Sequence, residues 1–517
     1  MPPNIASVKR ICCLLVFALA LSASAQLTAT DLTNILAHAS TRATAIAMNS
    51  VVAVLDREGW VLAVWSVNGT APDPQVVGNA ISKAGTAAFL SSTQNAFSSR
   101  SAGYIVQQHF PPGIRNKPPG PLVGVEFSNL PFSDINKFKA PGSTITFGST
   151  PGNSIVPVPF TSLAGGPGGL PLYQSNKLVG AIGVASAPAA FRTNPDGTPK
   201  CGYPDLPANL FGYDRDEDIA LAGQHSFAPR PEIMGSHVFI DGIRVPYANS
   251  ATKLSPMPSL IGAEVLPYSI MGSPAPFAYP IITLSNVTSE LRQPIIDDPI
   301  PGTIDGQPRL TAAEVTNILA RAAVRSARTR AGIRLPRGLP ARVWITVVNN
   351  PNDPSQPPSV LGTFRTPDAT MFSWDVAVQK ARTVIYYSTR TNLFPHTVAY
   401  STRAVGFLAQ SLYPPGIVNT SPGPFYCDQE QFSGLLSQPM EPSLPNGITI
   451  FPGGFPLYRN GVLIGAIGVS GDGVDQDDII GADGNVPFQA PLSLRCDRFT
   501  FRGARLPYAK FPRNPAL

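Results

Sequence analysis

The chain has 517 residues, too many for one ordinary core and enough for two or three domains. Hydrophobic residues make up 43% and charged residues only 14%, which excludes a disordered polyelectrolyte. The formal net charge of +6 is modest for this length, and no Lys/Arg run is interleaved with aromatics, so nucleic-acid binding is not indicated.

The first element is a signal peptide over residues 1–25. Lys9 and Arg10 form its positive start, "ICCLLVFALALSA" its apolar stretch, and Ala23-Ser24-Ala25 its small-x-small cleavage pattern. This predicts a secreted or periplasmic protein. No later stretch approaches the roughly 20 apolar residues of a membrane span. Cys12 and Cys13 leave with the signal. Cys201, Cys427 and Cys496 remain, which permits one disulfide and one free thiol, or none, and their wide spacing is unlike a zinc site.

Residues 26–250 read as one α+β domain. Thr28-x-x-Asp31 has the form of a capping box, and Leu32, Ile35, Leu36, Ala39, Ala43 and Ile46 follow with helical period. "VVAVLDREGWVLAVWSV" reads as strand, turn, strand, with Asp56-Arg57-Glu58-Gly59 as the turn. A second helix, "NAISKAGTAAFLSS", follows. "GGLPLYQSNKLVGAIGVAS", from Gly168 to Ser186, reads as a hairpin that turns through Gln174-Ser175-Asn176. Its alternating glycines let a helix, a ligand or another backbone come close. The acidic cluster Asp216-Glu217-Asp218 suits the positive end of a helix dipole, and "IRVPYA" at Ile243 gives a final strand.

Residues 251–308 read as a Pro-rich linker in which "YPIITLSNV" can add a strand. The landmarks then recur in the same order. "LTAAEVTNILARA" from Leu310 answers "LTATDLTNILAHA" from Leu27, and "GGFPLYRNGVLIGAIGVSG" from Gly453 answers the first hairpin phrase. Asp475, Asp477 and Asp478 answer the first acidic cluster, and "ARLPYA" at Ala504 answers "IRVPYA". Such recurrence is a duplicated domain, with copy two over residues 309–517.

The order "avvD..G", "KA.TA", "GG.P....g..vGaiGVSG" and "D..iA" resembles the GlcG/HbpS-type domain, also found at the C-terminus of PduO-type proteins. The matching positions are Asp56, Gly59, Lys83-Ala84, Thr86-Ala87, Gly168-Gly169, Pro171, Gly180 to Val184 and Asp218. In copy two they are Lys380-Ala381, Thr383, Gly453-Gly454, Pro456, Gly465 to Gly471 and Asp478. Each copy departs somewhere: copy two loses the Asp-x-x-Gly turn to a Pro-rich insert, and copy one has Val67-Asn68-Gly69-Thr70 where copy two keeps Arg365-Thr366-Pro367-Asp368-Ala369. The resemblance implies a profilin/PAS-like fold in each copy, an antiparallel sheet of about five strands flanked by helices. It also implies a haem or related tetrapyrrole ligand. Family members tend to oligomerise, so the two copies are expected to pack as an intramolecular pseudo-dimer, with a homo-oligomer as the other possibility.

Non-covalent haem needs an apolar slot and usually one axial side chain. His38 is the candidate metal ligand, because it lies just off the apolar face of the first helix. Arg321 takes its place in copy two, so the site is expected to be single. His396, in a polar aromatic stretch, is a second and weaker candidate. Lys83 and Lys380, at matching places in the second helix, are candidates for a propionate partner, and Thr86 and Thr383 for a hydrogen bond to the same ligand. The competing readings are an unliganded histidine, exposed lysines covering apolar surface with their stems, and threonines bonded to their own helix. The acidic clusters lack the calcium loop's 12-residue frame and fit helix starts better. No Gly-x-Ser-x-Gly, His-Glu-x-x-His, Walker or Rossmann motif is present. A non-haem small-molecule sensor or interaction domain, and a cofactor-free enzyme, remain the alternative functions.

Overall fold

The computed structural model describes residues 26–107, 120–123, 163–188, 212–265, 279–428 and 441–510, with scattered positions between 109 and 125. The signal segment and Cys201 lie outside the described residues. In copy one, α1 (Ala29–Ile46) starts on the expected box: Thr28 Oγ1 accepts from the Asp31 N–H, and Asp31 accepts from the Thr28 N–H at 2.8 Å. Then come β1 (Val51–Asp56), β2 (Val61–Ser66), α2 (Pro74–Leu90), α3 (Ser99–Ile105), β3 (Gly169–Gln174), β4 (Lys177–Ala185), α4 (Arg215–Gly223) and a small hairpin of β5 (Phe239–Ile240) and β6 (Ile243–Arg244).

Residues 251–308 do more than connect. β7 (Ala263–Glu264) pairs with β2 and completes a five-stranded antiparallel sheet in the order β3-β4-β1-β2-β7. β8 (Ile281–Leu284) and β9 (Val287–Gln293) form a hairpin that joins the second sheet, and β10 (Thr303–Ile304) and β11 (Gln307–Pro308) form a small ladder. Copy two continues with α5 (Ala312–Arg328), β12 (Trp344–Asn349), β13 (Val360–Arg365), α6 (Phe372–Ser388), α7 (Thr402–Leu408), β14 (Gly454–Arg459), β15 (Val462–Ser470), α8 (Val474–Asn485), β16 (Thr500–Phe501) and β17 (Ala504–Arg505). Its sheet has six strands, β14-β15-β12-β13-β9-β8.

Each sheet is sandwiched between helices. Alternation along β1 sends Val51, Ala53 and Leu55 to the α2 side and Val52 and Val54 to the side of α1 and α4. The repeated hairpin phrases occupy equivalent places. Ser175-Asn176 and Asn460-Gly461 hold positive φ at both central positions, the two-residue turn that matches strand twist. Their strand glycines receive a helix: a β-carbon on Gly183 would collide with the Ala80 carbonyl of α2, and one on Gly468 with the Ala377 carbonyl of α6.

The two copies touch. One buried apolar cluster runs from the α2 side of copy one into copy two. The Thr93 N–H donates to Asp368 Oδ1 at 2.9 Å, and Arg334 Nη1 donates to both Asp368 (2.7 Å) and Ser92 (3.1 Å). Arg292 forks the Glu58 carboxylate with two bonds of 3.0 Å. No helix among the described residues is long and apolar enough to cross a membrane. Cys427 is disulfide-bonded and Cys496 is a buried free thiol.

Candidate functional site

Lys83 and Lys380, the candidate propionate partners, are buried, contrary to the competing reading of exposed stems. Lys83 Nζ donates to Asp216 Oδ2 at 2.8 Å and to the Val184 carbonyl at 2.9 Å. Lys380 Nζ does the same with Asp477 (2.9 Å) and the Val469 carbonyl (2.7 Å). The reason is the hairpin. Gly168 and Gly453, at φ +116° and +119°, bring the start of each phrase against its lysine, where a side chain would meet the ammonium nitrogen at 3.2 Å and 3.1 Å. Burial pushes the Lys380 ammonium down and the Asp477 carboxyl up to about 6, each opposed by the other's charge. Asp216 Oδ1 and Asp477 Oδ1 have no hydrogen-bonding partner among the described residues.

Beside each pair stands an arginine that sequence reasoning missed. Arg100, from α3, is fully buried and forks Glu217 at 2.7 and 2.9 Å. Arg403, from α7, binds Asp478 at 2.9 Å and Asp475 at 2.8 Å. The backbone N–H groups of Asn249 and Lys510 donate to the same two carboxylates, Glu217 and Asp478. These partners set the register of the acidic clusters: Glu217, one residue before Asp218, is the counterpart of Asp478. The signal was legible as "SSRSAG" from Ser98 against "STRAVG" from Ser401. The second residue of each phrase supplies a further shared bond, since Ser99 accepts from the Gly169 N–H and Thr402 from the Gly454 N–H, both at 2.8 Å. Thr86 donates to the Ser82 carbonyl of its own helix and accepts from the Ala164 N–H, and Thr383 accepts from the Thr449 N–H. Among the described residues, no group of three His, Cys, Asp or Glu is placed to hold a metal.

His38 is elsewhere. Lys83 and Thr86 are on α2, whereas α1 packs on the opposite face of the sheet, so the structure does not gather them into one pocket. His38 is half-buried and its ring meets His225, just past the end of α4, edge to face at 5.0 Å. Burial first, and His225 second, lower its pKa. Arg321, its counterpart, donates instead to Asp483 Oδ1 at 2.8 Å and to the Asp483 carbonyl at 3.1 Å. Arg42, one turn beyond His38, pairs with Asp218 at 2.6 Å. His396 sits against the Phe394 and Phe499 rings, at 6.4 and 5.2 Å. A separate cavity of about 370 Å³ is lined from copy one by His237 and Phe239 and from copy two by Arg330, Ile333 and Arg337.

Comparison with known proteins gives one family. The family described as "Haem degrading protein HbpS-like" matches residues 27–190 and 314–484. No curated protein matches. Among solved structures, a PduOC–haem complex is 21% identical, with 36% of this chain and 98% of that chain covered and a TM-score of 0.24. The Klebsiella pneumoniae protein ORFY is 18% identical, covering 37% and 96%, with a TM-score of 0.23. A double mutant of Streptomyces reticuli HbpS is also 18% identical, covering 37% and 96%, with a TM-score of 0.22.

Proposed function

The chain belongs to the HbpS-like family, and from that premise we propose that it binds haem or a related tetrapyrrole through His38. The observation that carries this reading is the placement of His38, half-buried on α1 with its ring 5.0 Å from that of His225. Coordination requires an unprotonated ring nitrogen, and both burial and His225 push this histidine toward that form. One axial side chain suffices for haem. Arg321 cannot coordinate iron, so one equivalent per chain is expected. We assign Lys83, Thr86, Lys380 and Thr383 to holding each domain together, because their polar atoms are engaged inside the protein. The contacts between copies support an intramolecular pseudo-dimer, for which light scattering should report a single chain. Residues 1–25 support export, tested by looking for the processed chain outside the cytoplasm.

A second reading rests on the cavity between the copies, which His237 lines together with Arg330, Arg334 and Arg337, a side-chain type suited to carboxylates. Hemin titration decides between them. In the favoured reading the Soret band of wild type saturates at one equivalent, His38→Ala loses or shifts it, and His237→Ala leaves it unchanged. The reverse pattern moves the site to the cavity between copies. No saturable Soret change in wild type would remove both.

A further inference from the structure

The second copy has a cavity at the place where the first has an additional hydrogen bond and a larger side chain. In copy one, the Gln224 amide donates to the Pro171 carbonyl at 2.6 Å and to the Tyr247 hydroxyl at 3.0 Å. In copy two, the Asn485 amide donates to the equivalent Pro456 carbonyl, also at 2.6 Å. Asparagine is one methylene shorter, and the Tyr508 hydroxyl is left buried with no hydrogen-bonding partner among the described residues. Tyr508 is 6% exposed. Unmade bonds of buried polar groups are costly and rare, and each asks for an explanation. Three residues before each amide the pattern repeats: copy one has Leu221 packed on its core, and copy two has the smaller Ala482.

The result is a cavity of about 180 Å³, lined by Phe455, Ala482, Asn485, Ala490, Arg495 and Tyr508 among others, with Lys510 at its edge. It is smaller than the roughly 300–1,000 Å³ that house drug-sized ligands. Phe455, Ala482, Ala490 and Ala509 supply its apolar walls, and Asn485, Gln489, Arg495, Tyr508 and Lys510 its polar ones. The Arg495 guanidinium lies over the Tyr508 ring, 4.4 Å from its centre. Arg495 uses Nε and Nη2 to hold Asp497 at 3.1 and 2.8 Å, which leaves Nη1 outside that fork. Lys510 pairs with Asp475. The two carboxylates balance part of the cationic charge. Burial raises the Tyr508 phenol far above its usual pKa, so its hydroxyl stays protonated and able to donate.

We propose that this cavity binds a small organic monocarboxylate, with Tyr508 and Arg495 taking the carboxylate and Phe455, Ala482 and Ala490 its apolar body. The site is independent of the tetrapyrrole reading and is lined by residues of copy two. The partly balanced charge and small contact area imply a dissociation constant on the order of 1 mM.

Benzoate and its neutral analogue benzamide are the probes, titrated against the full chain by ligand-observed NMR. Wild type should bind benzoate saturably and benzamide at least about tenfold more weakly, since a bond to a charged group outweighs one to a neutral group. Tyr508→Phe should weaken benzoate about tenfold. Asn485→Gln and Ala482→Leu restore the copy-one residues, so each should abolish binding without lowering the melting temperature. Should Tyr508→Phe fail to fold, these two filled variants carry the test. Absence of saturable benzoate binding overturns the proposal, as does wild-type affinity in both filled variants. Equal affinity for benzamide overturns the assignment of a carboxylate.

Discussion

The two copies keep one set of interactions and differ at another. Both retain the lysine–aspartate pair, the arginine–carboxylate pair beside it, and the hydroxyl that caps the hairpin backbone. They differ at His38 against Arg321, at Asp56 against Asn349, and at Gln224 against Asn485. Apart from that hydroxyl, the shared groups are charges held in the interior, whose loss leaves a partner stranded there. The first of the differing positions lies at the protein's edge, and the other two exchange one hydrogen-bonding side chain for another. That is the freedom available to a duplicated domain: its buried ion pairs stay together, while an edge position and single buried hydrogen-bonding side chains can be exchanged.

The sharpest break of this comparison is Lys380→Ala. It strands Asp477 in the interior and should cost about 3–5 kcal/mol in urea unfolding. Lys380→Met with Asp477→Leu should recover most of that, because replacing both charges by apolar groups is often neutral or better. Lys83→Ala should cost somewhat less, since Asp216 keeps 13% of its side-chain exposure against 4% for Asp477. A loss below 1 kcal/mol at Lys380 would mean that the pair is a surface feature.

This pair also marks where sequence reading stopped. The landmarks gave both helix starts, both hairpins, the duplication and the glycine contacts, because each is a local pattern that repeats. The burial of Lys83 was hidden. A lysine in "NAISKAGTAAF" reads as the polar side of a helix, and its partner Asp216 lies beyond a long insertion in the chain. The role of Arg365 to Ala369 was hidden for the same reason: Asp368 faces Thr93 of the other copy and Arg334. Strand β8 falls within "YPIITLSNV", the stretch that can add a strand, whereas β7 is only two residues long and β9, between β8 and β13, begins at the last residue of that stretch. His225 gave no signal, since an exposed histidine after a helix acquires meaning only when α1 packs beside it.

A second break concerns pH. Asp56 is buried, and burial pushes its carboxyl up to about 7, opposed by the N–H groups of Trp60 and Glu58 that bond it. The folded state therefore holds the proton more tightly than the unfolded chain. Its contribution is complete below about pH 4 and is lost as pH rises through about 7. Copy two has Asn349 at this strand position, accepting from the Ser359 N–H at 2.7 Å. Asp56→Asn should imitate it, flatten the pH profile between pH 4 and 7, and make the protein more stable than wild type at pH 8, by on the order of a few kcal/mol. An unchanged slope would place the titration elsewhere.

A third concerns the helix seats. Gly183→Ala and Gly468→Ala press a methyl into the backbone of α2 and α6, and each should cost about 1–3 kcal/mol. If one copy tolerates the change and the other does not, the two helix–sheet contacts are not equivalent after all.

The smallest effect on stability is expected at Arg321, and it tests the haem reading most closely. Its bond to Asp483 is 2.8 Å, yet the two side chains are 39% and 33% exposed, so Arg321→His should change stability by at most about 1 kcal/mol. The imidazole then stands where His38 stands in copy one, but beside a carboxylate rather than beside His225. A neighbouring negative charge favours the protonated ring, which cannot coordinate iron. Arg321→His should therefore leave hemin uptake at one equivalent per chain at pH 7. Asp483 corresponds to Ala222 in copy one, so adding Asp483→Ala removes that charge and should raise uptake toward two. Two equivalents from Arg321→His alone would show that the charge beside the ring does not govern coordination. One equivalent from the double variant would show that a neutral imidazole on this helix is insufficient without the rest of copy one.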